Sequence, residues 1–354
     1  LAATSARVAE SAGDTTVLRM KSFLRKHLYA LLSSLMLTVL TGFVLLDTFV
    51  LPHAVASVAT ASAASTTTTV LETSQGSATE TAIDTVPSAT AATSSTVQTA
   101  ADNAEETEEV TITGSIYSGN GISIVITTVR VSGTNAYVAD VQLTNAGSLK
   151  TALAQDTFGS NITQTTSAMA AANSAILAIN GDYYGANKRG YVIKNDILYR
   201  DTIRQGDNTE DLAIYADGSF AIIDETEVSA QELLDSGVVQ LLAFGPALIE
   251  NGEVQVSASD EVSRAKANNP RTAIGIIDDL HYVIVVADGR TSESEGLSLL
   301  ELAELMESYG CVTAYNLDGG GSSTMVFNGV VVNQPTTNGN QITERAVSDI
   351  VYIA

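Results

Sequence analysis

Asp-Gly and Asn-Gly pairs recur between apolar arms along this chain, and no other local signal restricts its fold as strongly. LAIYADGSFAII, PALIENGEVQV and TMVFNGVVVN each set one such pair between two runs rich in β-branched residues. These dipeptides accept the positive φ that tight hairpin turns demand, so each segment reads as a β-hairpin. GISIVITTVRV and NAYVADVQL read as two further strands, and AIGIIDDLHYVIVVADGR as a hairpin turning at Asp278-Asp279. Helical spacing is scarcer: TQTTSAMAAANS, SAQELLDSG and LSLLELAELMESYG. In the last, Leu299, Leu302, Leu305 or Met306, and Tyr309 share one face, while Glu301, Glu304 and Glu307 form an acidic stripe that reads as a solvated surface. The expected class is α+β: a large mixed or antiparallel sheet with few helices.

Ahead of this region the composition changes twice. Lys21, Arg25 and Lys26 precede an uncharged, largely apolar run from Leu28 to Leu46, a length suited to crossing most of a bilayer with the basic side left in the cytoplasm. The reading is a cytoplasmic N-terminus over 1–27, a transmembrane signal anchor over 28–50, and an extracellular domain beyond it. The small residues of His53-Ala54-Val55-Ala56-Ser57 leave open a cleaved signal and a secreted product. Residues 51–109 are Ser, Thr and Ala with scattered acids, too poor in large apolar side chains to offset the entropy of ordering, and are expected to form a disordered stalk. One globular domain is expected over 110–354.

Charge and residue counts remove several functions. A formal net charge of −23 argues against nucleic acid and against peripheral binding to anionic lipid, both of which need basic patches. The single cysteine, Cys311, rules out an intrachain disulfide and reads as a small core residue. Of three histidines only His281 falls in the folded region, so HExxH zinc chemistry and a CxxC site are absent and a Cys-His dyad has little room.

The chemistry therefore has to come from carboxylates, arginines and backbone. NLDGGGSSTM follows the apolar run CVTAYNL, which itself follows the best helix, so the glycines fall at the end of a helix-to-strand unit. No lysine completes a Walker A loop, and the sequence after the glycines opens a hairpin rather than the helix of a dinucleotide fingerprint. What remains is an anion-binding nest made by the backbone of Gly319, Gly320 and Gly321 with the hydroxyls of Ser322, Ser323 and Thr324, and with Asp318 at its rim. Other polar clusters also fall at strand ends: NGDYYG with Asn180 and Asp182, NNPRTAIG with Arg271, and VVADGR with Asp288 and Arg290. Each alone reads equally as a turn or a surface charge; together they point to a site of carboxylates and arginines.

INGDYYG, FGPALIENG, NNPRTAIG, VVADGR followed by GLSLLELAELM, and NLDGGGSSTM run in order over most of residues 175–354, and in this the chain resembles the phosphodiester glycosidase family. That group includes the enzyme that removes N-acetylglucosamine from mannose-6-phosphate diesters, and its bacterial members are often labelled exopolysaccharide biosynthesis proteins. The resemblance implies hydrolysis of a sugar-1-phosphodiester, with a phosphorylated cell-surface glycan as substrate. In this reading Gly319–Gly321, Ser322, Ser323, Thr324, Asn180 and Arg290 bind substrate or its phosphate. Arg271 also assists at the phosphate, and Asp318, Asp288 or Asp182 activates water or stabilises charge at the anomeric carbon. Two alternatives stay open: a non-catalytic module that binds phosphorylated wall glycan, and an exopolysaccharide assembly factor. No cofactor is expected; three aspartates could hold Ca²⁺, although no EF-hand spacing supports it.

Overall fold

The computed structural model describes residues 33–44, the backbone of 53–54, and 110–354 apart from 207, 260–267 and 340. Residues 33–44 form a helix, and among the described residues no helix is long and apolar enough to cross a membrane. The rest of the anchor assigned to 28–50, and the stalk apart from the backbone of 53–54, lie outside the described residues. His53–Ala54 pairs with Gly159–Ser160.

Three larger sheets and a two-stranded Thr336–Thr337/Gln341–Ile342 ribbon make up the domain, and every strand pairing among the described residues is antiparallel, so of the expected mixed or antiparallel forms the antiparallel one is found. The largest has nine strands. In spatial order these are Glu253–Val254, Ala247–Glu250, Thr313–Asn316, Arg271–Asp278, His281–Ala287, Thr134–Leu143, Ile122–Val131, Ile116–Gly119 and Thr111–Thr113. A second sheet orders Val330–Val331, Met325–Phe327, Leu177–Asn180, Asp349–Ile353 and Leu149–Leu153. A third orders Ile197–Arg200, Val192–Lys194, Val238–Leu242, Glu210–Tyr215 and Phe220–Asp224.

The hairpins form where the sequence places them. Asn251-Gly252 and Asn328-Gly329 turn with both residues at positive φ. Ser132-Gly133 does the same between the two long strands. One turn is displaced by a residue: Asp278 pairs with His281, so Asp279 and Leu280 make the bend, with Leu280 at φ 57. A register shift between Ile276 and Asp278 accounts for the difference.

Period-two alternation feeds two cores from one sheet. Tyr282, Ile284 and Val286 point to a central core, while Val283, Val285 and Ala287 point to the opposite face. The central core also takes Leu177, Ile179 and Val351 from the second sheet and Leu212 and Ile214 from the third. Each outer face is covered by one short helix: Leu299–Ser308, Thr166–Ala172 and Ala230–Asp235 cover the first, second and third sheets. Leu299, Leu302, Ala303 and Met306 of the longest helix are fully buried, each leucine contributing roughly 1.5–3 kcal/mol. Ser298 and Glu301 close its N-terminus as a capping box, Glu304 and Glu307 face solvent, and Gly310 at φ 84 ends it.

This topology gathers strand ends. His281–Ala287 and Thr313–Asn316 both flank Arg271–Asp278 antiparallel, so they run in the same direction and finish at the edge where the middle strand starts. Arg271, Asp288 and Asp318 are thereby drawn to one end of the sheet. In the second sheet Ile350 pairs with Asn180 and Met325 with Ile179, which sets Gly181, Asp349 and Thr324 at one end.

Candidate active site

The three glycines are bare because three neighbours press on them. A Cβ on Gly319 would lie 2.8 Å from the Pro270 carbonyl oxygen, one on Gly320 2.7 Å from Arg290 Nη2, and one on Gly321 2.7 Å from Thr337 Oγ1. Gly320 also needs its φ of 64. The loop's N–H groups are largely spent inside the protein. Gly320 donates to the Pro270 carbonyl, Ser322 to Gly319, Ser323 to Gly320, and Thr324 to Asn180 Oδ1. The glycines thus serve close approach, and the polar groups beside them that reach the cleft are the side chains of Asp318, Ser322 and Arg345. Among the three hydroxyls Ser322 lines a cleft, whereas the Ser323 and Thr324 hydroxyls are buried and take no hydrogen bond in the structure.

Asp318 leaves the strand Thr313–Asn316 and meets Arg345, a residue the sequence reading missed. Arg345 Nη2 lies 2.9 Å from Asp318 Oδ2, and Ser322 Oγ donates to the same oxygen at 2.6 Å. Arg345 also donates from Nε to Ser322 Oγ at 2.9 Å, so the three side chains form a closed set. Burial raises the Asp318 pKa, and Arg345, Ser322 and the Gly319 N–H pull against that rise.

Asp182 sits in the same cleft, with a second group the sequence reading missed. Its Oδ2 accepts from Lys194 Nζ at 2.9 Å and from the Ala243 N–H at 3.1 Å, and its Oδ1 accepts from the Tyr184 N–H. Lys194 Nζ bridges to Asp349 Oδ2 at 2.8 Å. Lys194 is 1% exposed and Asp349 fully buried. Burial opposes the ammonium, but Asp182 and Asp349 outweigh it and raise its pKa. Burial and the Asp182 charge push the Asp349 carboxyl up to about 7, against the pull of Lys194. One buried cation thus faces two carboxylates, Asp349 inside the protein and Asp182 at the wall of the cleft.

Asn180 is a strut between segments. Its Nδ2 donates to the Asp318 carbonyl at 2.6 Å, and its Oδ1 accepts from Thr272 Oγ1 and the Thr324 N–H. Arg271 is 3% exposed and donates from Nε to the Leu297 carbonyl, tying its strand to the start of the long helix. Asp288 accepts from the Gln334 N–H, Asn333 Nδ2 and the Tyr137 hydroxyl, which pins the 333–334 segment. Burial raises its pKa. None of these three lines the cleft. Arg290 is exposed, at φ 62, with its guanidinium against Gly320; burial and the nearby Arg345 charge lower its pKa.

The cleft is shallow and opens to solvent, with a cavity volume of about 80 Å³. Segments 161–163, 182–186, 318–322 and 345–348 supply its walls, bringing Asp182, Tyr183, Asp318, Ser322 and Arg345 together. Among the described residues no group of three or more His, Cys, Asp and Glu side chains is arranged to hold a metal ion. Two carboxylates and a fixed guanidinium in one cleft can activate water and stabilise an anionic leaving group.

Comparison with known proteins bears on the family of the chain. The family profile described as phosphodiester glycosidase matches residues 173–354. A prophage-derived uncharacterised protein, YomE, of Bacillus subtilis is 30% identical over 239 residues, 66% of this chain and 36% of its own length. The mouse N-acetylglucosamine-1-phosphodiester alpha-N-acetylglucosaminidase is 37% identical over 123 residues, 31% of this chain and 24% of its own. The chain therefore spans only about a third or a quarter of these relatives. The catalytic domain of the zebrafish enzyme of that name, auto-inhibited by its pro-peptide, shares the fold at a TM-score of 0.53 and 21% identity, over 70% of this chain and 88% of that one.

Proposed function

Since the chain belongs to the phosphodiester glycosidase family, we propose that it hydrolyses a sugar-1-phosphodiester, cleaving the bond between the anomeric carbon and the phosphate oxygen. The observation that carries this reading is Arg345, bonded at once to Asp318 and Ser322 in a cleft that also holds Asp182.

Water adds at the anomeric carbon, the carbon–oxygen bond breaks with its electron pair going to oxygen, and a phosphate monoester departs. A phosphate monoester leaves without strong general-acid help, so stabilising its oxygens matters more. Arg345 and Arg290, two like charges held beside Gly320 and Gly321, supply that stabilisation. Asp318 takes the proton from the attacking water, because burial raises its proton affinity while its bonds to Ser322 and Arg345 fix its direction. Asp182, both of its oxygens occupied, stays in place as a charge facing the positive character that develops at the sugar ring.

The substrate is placed in a phosphorylated glycan outside the cytoplasm. The basic-flanked apolar run from Leu28 to Leu46 supports an extracellular domain on an anchor. The test is turnover of defined sugar-1-phosphodiesters by the purified full-length protein. Asp318→Asn should cut kcat about 10²–10⁴-fold while the far-UV circular dichroism stays unchanged. Full activity in that variant removes Asp318 from the chemistry, and binding without turnover in the wild type favours a glycan-binding module.

A further inference from the structure

Tyr183 and Tyr184 are neighbours in sequence with opposite fates. Tyr184 is 1% exposed, stacked on Phe158 at 5.3 Å between ring centroids, and belongs to the core. Tyr183 is 44% exposed, yet it lines the cleft directly after Asp182. A tyrosine in a cleft offers a flat apolar face with a polar tip and little entropy to lose on binding.

The ring is also held in place. Phe244 packs edge-on against it, with centroids 6.3 Å apart and planes at 89°. This edge contact is made by a residue with unusual backbone geometry: Phe244 has φ 137, a region that side chains rarely adopt. The strain is overdetermined from three sides. The preceding Ala243 N–H donates to Asp182 Oδ2, the Phe244 carbonyl accepts from Asn208 Nδ2 at 2.7 Å, and the following Gly245 N–H donates to the Asn316 carbonyl. This strained backbone is tied directly to Asp182 at the wall of the cleft.

We propose that Tyr183, buttressed by Phe244, is the platform on which the sugar ring of the substrate stacks, recognising the C–H face of a pyranose. The placement divides the cleft by chemistry, with the phosphate at the arginines, the anomeric carbon at Asp318 and the ring on Tyr183. The assignment rests on the reading of the site as a sugar-phosphodiester hydrolase and goes further by naming the sugar-binding residue.

The chain contains no tryptophan, so a Tyr183→Trp variant carries one indole and its emission reports on the platform alone. Titration of that full-length variant with hexose and hexosamine 1-phosphates should shift the emission saturably, and inorganic phosphate should not. In parallel, Tyr183→Ala should raise KM for a sugar-1-phosphodiester about tenfold with a smaller change in kcat, and Tyr183→Trp should restore it. An unchanged KM in Tyr183→Ala, or an emission that ignores sugar phosphates or responds equally to inorganic phosphate, overturns the platform. Absence of turnover in the wild type would count against the hydrolase reading instead, and the emission titration would still decide the platform.

Discussion

Removing the Lys194 ammonium tests the buried network directly. Lys194→Met keeps the length and most of the volume of the side chain but leaves Asp182 and Asp349 without the cation that lies 2.9 and 2.8 Å from them. Breaking a buried ion pair by deleting one partner typically costs about 3–5 kcal/mol, because the charge left behind has lost water and partner together. The sign of the pH dependence follows from Asp349. Its pKa is near 7 in the folded protein against 3.8 as the ordinary value, so the native state holds its proton more tightly than the unfolded chain. That contribution is fully present below the unfolded pKa and is lost as pH rises through about 7; three units amount to roughly 4 kcal/mol. Deleting the lysine raises the carboxyl further and steepens the loss. Urea denaturation at pH 5 and pH 8, with comparable m-values, measures it. The expected penalty is about 3–5 kcal/mol at pH 8 and less than half of that at pH 5. A penalty equal at both pH values, or below about 1 kcal/mol at pH 8, would refute the account of one cation restraining two buried carboxylates.

Two further perturbations separate binding from folding. Arg345→Ala removes a 44% exposed side chain whose ion pair should contribute no more than about 1 kcal/mol to stability, yet it should lower kcat/KM on a sugar-1-phosphodiester far more than on a matching neutral glycoside. Equal losses on both would mean that Arg345 does not serve the phosphate. Gly296→Ala should destabilise by about 2–4 kcal/mol in thermal or urea unfolding, since Gly296 has φ 111 and its Cβ would fall 2.4–2.6 Å from backbone atoms of Asn269. A wild-type melting temperature in that variant would show that the 268–270 segment yields more easily than the geometry indicates.

Local signals in the sequence were legible where one residue pair decides a conformation. Asn251-Gly252 and Asn328-Gly329 make their turns because both positions tolerate positive φ, and the helix Leu299–Ser308 follows from the spacing of its leucines and from the Ser298–Glu301 box. The convergence of Asp318, Asp288 and Arg271 on one sheet edge was legible from their positions at strand ends. What each side chain does there was not. Asp288 accepts from the Gln334 N–H and Arg271 donates to the Leu297 carbonyl, partners distant in sequence that no local pattern announces. Arg345 stands in the polar stretch ITERAV and resembles any surface charge until the fold brings it to Ser322. Lys194 and Asp349 left a weak trace: a charged residue at the end of the apolar run YVIK and another at the start of DIVYI. Two opposite charges in strands otherwise built to be buried are a sign that they meet.

The strand Asp349–Ile353 lies between Leu149–Leu153 and Leu177–Asn180, both made much earlier in synthesis. Until residue 353 has emerged, the sheet has a vacant slot with two unpaired edges, and Lys194 has lost one of its two carboxylate partners. The reacting cleft lacks Arg345 for the same interval. A nascent chain therefore cannot mature its site domain-first and wait; competence arrives with one late, non-local pairing, the slow kind of folding event in which exposed edges are open to misassembly. For such a chain, the vacant slot between the two strands is the region most open to misassembly during synthesis.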